Sequence, residues 1–349
     1  MHILLTNSFL ATRTGSEMAL RDHAVELRRR GNEVTVYAPV LTTAWRAEFA
    51  RAGITATDDP ATVSPRPHLI HGQHGVAFLA CMHAFPECAV VQWLHDLEDP
   101  VDIALRHPAI AVHVAVDSAR AGRALGAGVD PANVRIIANA VDLAKFAPVP
   151  LPEARRALAI LKRDGLEHTE KVVRDACTQT GWNVSFAGNG VRREVNQLEQ
   201  AYAACDLVIA SGRCALEAIA MGRSVILCDH NRLGGLVGDD NWNGLREHNL
   251  GRNAMNEPLT QDRLSALLVE ATKVDPVAFS ARVRPSLDLR LAGDQVESLY
   301  RDVLRTHAPL EPLDMRATWS ADLLALATEL SKTHLEHWHR IAKDMDARR

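Results

Sequence analysis

The stretch Ala203–Cys228, AACDLVIASGRCALEAIAMGRSVILC, reads as strand, tight glycine turn, helix and strand. Asp206–Ala210 is a short apolar run of β type, Ser211 is a favoured helix N-cap residue, and CALEAIAM after Arg213 is made almost wholly of strong helix formers. Gly222 then ends the helix. A helix that opens directly at a strand's carboxyl end aims its first N–H groups and the positive end of its dipole at the crevice where α/β proteins bind ligands. The turn Ser211-Gly212-Arg213 is therefore expected to hold phosphate. Glu217 falls about one turn into the helix, where a carboxylate accepts hydrogen bonds from the two hydroxyls of a ribose lying beyond the phosphates. A nucleotide is the expected occupant; by spacing alone, the same residues also describe an ordinary α/β turn followed by a solvated glutamate.

Outward from this segment, the same alternation fills the chain. HILLTNS, EVTVYAP, HLIHGQH, AVVQWLHD and HVAVDS read as strands, with a helix from Glu17 to Arg30 stopped by Gly31. ALAILK, a helix over Glu167 to Thr180, WNVSFAG, DLVIA and SVILCD repeat the pattern in a second half. Alternating strands and helices build parallel, doubly wound sheets, so the expected fold is α/β with two Rossmann-like domains and a cleft between them. The proline cluster Pro148, Pro150 and Pro152 is read as an interdomain linker and hinge. The expected boundaries are 1–148 for a first domain, 149–307 for a second and 308–349 for a helical tail.

The length of 349 residues suits two domains, and 47% hydrophobic content is ample for two cores. A formal net charge of -4 supplies no basic field of the kind that carries non-specific nucleic-acid binding, so a nucleic-acid partner is disfavoured. The six cysteines show no paired metal spacing and mostly sit in apolar runs, as reduced cytoplasmic cysteines do. MHILLTNSFL lacks the basic start of a signal peptide, and no run reaches the length of a membrane span.

VAVDSARAGRALGAGVDPANVRIIANAVDLAKFAP, ending in Asn139, Ala140, Val141, Asp142 and Phe146, resembles the hinge-proximal block of the GT-B glycosyltransferases, especially the retaining group called family 4. YAACDLVIASGRCALEAIAMGRSVILCD resembles that group's donor-binding block, in which a Leu-Glu-Ala helix supplies the ribose-binding glutamate; Glu217 matches it. The resemblance spans the chain up to about His307. It implies a transferase acting on a nucleoside diphosphate sugar, UDP- or GDP-linked, without metal or other cofactor. The implied acceptor is a glycan, a lipid-linked molecule or a small metabolite.

Two departures stand out. The family's donor motif carries two glutamates, but the position of the first is occupied here by Ile209, inside the strand. The family's Gly-Arg and Lys-Gly signatures, which neutralise the donor diphosphate, are absent from RRALAILKRDGLEHTEK; Lys162 and Arg163 are the leading substitutes, with His168 and Arg213 also available.

In the first domain, Thr14-Gly15-Ser16 lies where family members carry a glycine loop beside donor and acceptor; Gly15 allows close backbone approach and Ser16 is expected to cap the helix. His95, followed by Asp96, ends a strand and resembles the family's histidine that contacts the donor sugar near the reacting carbon. His71 and His74 end the preceding strand and are expected to line the cleft or meet acceptor; as a metal pair they lack a third ligand. The glycine- and asparagine-rich segment after Asp229 is read as a loop whose Asn231, Gly234 and Gly235 present N–H groups to the donor, with Arg252 as a further cation. Asp344-Met345-Asp346 has a metal-binding spelling but follows no strand and is set aside. From Trp319 to Met345 an amphipathic tail helix, with His334, His337 and His339 among its polar residues, is expected to pack back on the first domain, dimerisation and membrane-surface contact being the alternatives.

The expected protein is a cytoplasmic transferase, peripheral to the membrane in one reading, and the resemblance implies that it works with retention at the anomeric carbon. A nucleotide-sugar 2-epimerase of the same plan and a non-catalytic binding module are the alternatives.

Overall fold

A computed structural model describes residues 1–97, 102–161, 167–188, 191, 195 and 197–308. The chain forms two compact units: Met1–Ile137 together with the described residues from Gly293 on, and Ala138–Ala292. The tail read as a helix from Trp319 to Met345, its three histidines and Asp344-Met345-Asp346 lie outside the described residues.

The first unit contains β1 (His2–Thr6), β2 (Phe9–Leu10), α1 (Gly15–Arg29), β3 (Glu33–Tyr37), β4 (Val40–Leu41), α2 (Thr43–Arg51), β5 (Thr55–Thr57), β6 (Leu69–Gln73), α3 (Gly75–Ala84), β7 (Ala89–Leu94), β8 (Ile110–Ala115), α4 (Ser118–Gly126) and β9 (Val134–Ile136). Its seven-stranded sheet runs β5-β3-β1-β6-β7-β8-β9, parallel throughout. Ile3, Leu5, Val36 and Val91 pack on one face and Leu4, Ile70 and Val90 on the other. Burial on both faces explains why these strands read as unbroken apolar runs. The strand order reverses between β1 and β6, so the switch point of this sheet lies at the carboxyl ends of those strands, beside Asn7 and His74.

The second unit contains β10 (Arg156–Ile160), α5 (Glu167–Thr180), β11 (Asn183–Ala187), α6 (Leu198–Ala203), β12 (Leu207–Ala210), α7 (Arg213–Ala220), β13 (Ser224–Asp229), β14 (Arg232–Leu236), α8 (Trp242–Glu247), β15 (Glu257–Pro258), α9 (Gln261–Glu270) and α10 (Pro276–Val283). The sheet order is β11-β10-β12-β13-β14-β15, with the first four strands parallel and the last two antiparallel additions. Its order reverses between β10 and β12, so the carboxyl end of β12 sits at the switch point. Two Rossmann-like α/β units therefore arise, as the alternation in the sequence implies.

The final described helix, α11 (Leu289–Thr306), seats Val296, Tyr300 and Val303 in the same cluster as Leu20, Ala24 and Leu27 of α1, the three- and four-residue spacing of one helical face. Arg30 of α1 pairs with its Asp294 at 2.6 Å. The proline segment read as a hinge lies within the second unit. There the buried Arg223 donates to the carbonyls of Val149, Pro150 and Cys205.

Candidate functional site

At the end of β12 the chain turns through Ser211 and Gly212 into α7. The cap residue is Gly212, not Ser211 as the sequence suggests: its φ of 56° with ψ of -132° belongs to glycine's range, and the helix starts one residue later. The Gly212 N–H donates to the Leu250 carbonyl at 2.7 Å. Leu250 and its neighbour Asn249 both have positive φ, and the Asn249 amide oxygen accepts from Arg246 at 2.7 Å. Arg246 also donates to the Asn139 carbonyl at 2.7 Å, and burial lowers its pKa to about 10. The Asn139 block and the Ser211 turn are thus braced by one loop.

Glu217 lies one turn into α7, as expected, and is buried. One carboxylate oxygen faces the Arg213 guanidinium at 3.4 Å and the other accepts from the Tyr202 hydroxyl at 3.3 Å. Burial first, then Cys214 and the Glu217 charge, raise the Tyr202 phenol well above its ordinary range, so it acts as a donor. Nothing in the sequence marks Tyr202, which reads as an ordinary core aromatic of α6.

The segment after Asp229 corrects the loop reading. Residues 224–236 form an antiparallel hairpin of β13 and β14 turning at His230 and Asn231, so Gly234 and Gly235 lie in a strand. A Cβ at Gly234 would stand 2.9 Å from Leu227 Cβ and 3.0 Å from the Ala254 carbonyl oxygen, so glycine is needed there, while Gly235 takes a φ of 86°, which also favours glycine. Asn231 is exposed, and its carbonyl accepts from Leu259 at 2.8 Å. Arg252 is half-buried in a short 3-10 turn. Lys162 and Arg163 lie outside the described residues.

In the first unit, Gly15 and Ser16 are the first two residues of α1 and not part of a preceding loop. Ser16 is not the cap: Thr14 is, and Glu17 closes a capping box with it. The Glu17 carboxylate accepts from the backbone N–H groups of Ala11, Thr12 and Thr14 at 2.8, 2.9 and 2.8 Å and from the Thr12 hydroxyl at 2.7 Å. Burial pushes its pKa up, but those hydrogen bonds outweigh it and hold the carboxyl below the ordinary range. The Thr14-x-x-Glu17 spacing was the available signal for this clasp.

His95 and Asp96 follow β7, and both backbone N–H groups donate to one oxygen of the buried Asp102. Arg120 donates to the His95 carbonyl at 2.6 Å, and the His95 ring stacks with Trp93 at 6.2 Å. His71 is fully buried and therefore lines no surface; its ring stacks on Trp93 at 4.7 Å and contacts the Tyr300 hydroxyl. His74 caps α3 with φ of 59° and accepts from the Ser8 N–H at 3.4 Å. At the switch point the Asn7 amide donates to the Gln73 side-chain oxygen at 3.2 Å, a polar pair that the sequence did not single out.

Among the described residues no group of three or more His, Cys, Asp or Glu side chains could hold a metal ion, and no helix is long and apolar enough to cross a membrane. The six cysteines form no disulfide; five are buried and Cys214 is half-buried.

The fold is that of the GT-B glycosyltransferases. Anabaena HepE, solved with UDP and glucose, superposes with a TM-score of 0.64 at 15% identity, over 86% of this chain and 100% of its own. WaaG, a glycosyltransferase involved in lipopolysaccharide biosynthesis, gives 0.54 at 13% identity over 85% and 99%. A Listeria monocytogenes protein provisionally assigned as a UDP-N-acetylglucosamine 2-epimerase gives 0.54 at 10% identity over 89% and 98%. No protein-family model and no curated protein sequence matches the chain.

Proposed function

We propose that the protein is a glycosyltransferase moving a sugar from a UDP- or GDP-sugar to an acceptor hydroxyl, with retention and without metal. The observation that carries this reading is the β12–α7 turn at the second unit's switch point, with Glu217 one turn into the helix. The first turn of α7, together with Arg213, Lys162 and Arg163, takes up the charge that develops on the departing diphosphate. Glu217 holds the ribose, with Asn231, Gly234, Gly235 and Arg252 as further donor contacts. His95 and the Gly15 region position the sugar, and Ser16, His74 and Asp96 belong to the acceptor side. HepE's binding of UDP-glucose supports UDP as the nucleotide.

As the bond from the anomeric carbon to the leaving diphosphate breaks, the acceptor oxygen bonds that carbon from the same face. A leaving phosphate oxygen takes the acceptor proton, so no protein base is required. The acceptor is a glycan, a lipid-linked molecule or a small metabolite, and the protein works in the cytoplasm.

Calorimetry with UDP, GDP, ADP, TDP and CDP and their sugar conjugates, with and without magnesium, tests the donor. Magnesium-independent binding of one nucleotide is expected, and binding of none defeats the reading. The epimerase plan is a second reading, supported by the Listeria superposition, which equals that of WaaG. Release of nucleoside diphosphate only when acceptor is present favours transfer; change at C2 of the sugar without acceptor favours epimerisation.

A further inference from the structure

Arg213 and Glu217 oppose each other across one turn of α7, and their side chains keep only 9% and 6% of their exposure. Tyr202 holds the second carboxylate oxygen, so the pair is built into the interior edge of the helix. Four residues of α-helix rise about 6 Å, comparable to the span from a ribose diol to the 5′-diphosphate of the same nucleotide. The cation stands at the helix's phosphate end and the carboxylate at the ribose end.

We propose that the Arg213–Glu217 pair takes the place of the ligand's diol and phosphates before binding and thereby selects intact nucleoside diphosphates over their halves. The inference rests on the donor-site reading above. A nucleoside alone draws Glu217 towards its diol and leaves the buried guanidinium without that opposing charge. Pyrophosphate alone does the converse to the carboxylate. Taking one partner from a buried pair costs far more than separating an exposed one. A nucleoside diphosphate replaces both partners at once, giving a carboxylate to the diol and a cation to the phosphates. The two halves therefore bind cooperatively, each having already broken the pair the other must break, and linkage makes the effect reciprocal. Free nucleosides and inorganic pyrophosphate therefore bind weakly on their own, while the donor is admitted.

The test is titration of the full-length chain with uridine and guanosine, each with and without saturating pyrophosphate, beside UDP and GDP, by calorimetry or by NMR shift for weak fragments. Pyrophosphate is expected to tighten the nucleoside of the preferred nucleotide by about fivefold or more, with the same factor in reverse. Arg213→Met, which keeps the aliphatic stem, is expected to weaken the nucleoside diphosphate, tighten the nucleoside and abolish the mutual effect. Fragments that bind independently or compete overturn the proposal and leave the nucleotide site standing. So does a folded Arg213→Met that weakens nucleoside and nucleotide together. If Arg213→Met does not fold, the fragment titrations on the unaltered chain decide alone. If neither UDP nor GDP binds that chain, the donor-site reading and this proposal fall together.

Discussion

The Tyr300 hydroxyl of α11 meets Nδ1 of His71 on β6, although the two residues are 229 positions apart. The other ring nitrogen of His71 contacts the Gln73 amide nitrogen at 3.2 Å, and Gln73 in turn accepts from Asn7. An amide nitrogen only donates, so Nε2 accepts and Nδ1 carries the proton that goes to the phenol oxygen. The chain of bonds runs from α11 to the unit's switch point and requires a neutral imidazole.

Burial, followed by the nearby His23 and His95, holds the His71 pKa well below the ordinary value. The unfolded chain then binds the extra proton, so this contribution to stability is complete above about pH 6.5 and is lost as pH falls further. Urea unfolding at pH 8 and pH 5 is expected to differ by about 2 kcal/mol through this residue. His71→Gln should flatten that dependence; an unchanged slope would remove His71 as its source.

Glu17 clasps three backbone N–H groups and two hydroxyls at the entry to α1. Glu17→Ala leaves those donors without their charged acceptor and should cost about 2–3 kcal/mol in urea unfolding. A loss below about 0.5 kcal/mol would mean that water replaces the carboxylate fully.

Arg223 has 1% exposure and donates to three carbonyls, two of them in the proline segment. Arg223→Met fills similar volume but leaves the carbonyls unmet, with an expected cost of about 3 kcal/mol. Limited proteolysis should then cut faster near Val149 and Pro150; an unaltered cleavage pattern would show that the segment is held by other contacts.

Much of the fold was legible because the central parallel strands are buried on both faces and so appear as apolar runs, HILLT or LVIA, bounded by helix formers. β14 was not: in Arg232-Leu233-Gly234-Gly235-Leu236 the Leu227 side chain and the Ala254 carbonyl press on Gly234 and a positive φ favours glycine at 235, but glycine pairs read as loops. The attachment of α11 to the first unit was equally hidden, since Val296 and Tyr300 give a helical stripe but not its partner. At the site, Glu217 was legible from its place one turn past a glycine turn. Tyr202 and the buried Asp102 were not: Tyr202 reaches Glu217 from another helix, and Asp102 turns back on the N–H groups of His95 and Asp96, contacts that no motif marks.

Glu217 supplies the most direct check on the donor site. Replacement by alanine removes the carboxylate facing Arg213 and Tyr202, so two effects must be separated. Loss of the ion pair leaves Arg213 buried without it and lowers stability whether or not a nucleotide ever binds. Loss of the diol contact acts only on ligand, and is expected to weaken nucleoside diphosphate binding by about 1–3 kcal/mol. A 2′,3′-dideoxynucleoside diphosphate isolates the second effect, because it lacks the hydroxyls that Glu217 would hold. Glu217→Ala should bind the ribose and dideoxyribose forms almost equally, whereas the unaltered protein should prefer ribose by roughly tenfold or more. Equal binding of the two forms by the unaltered protein would assign Glu217 to the core of the second unit alone.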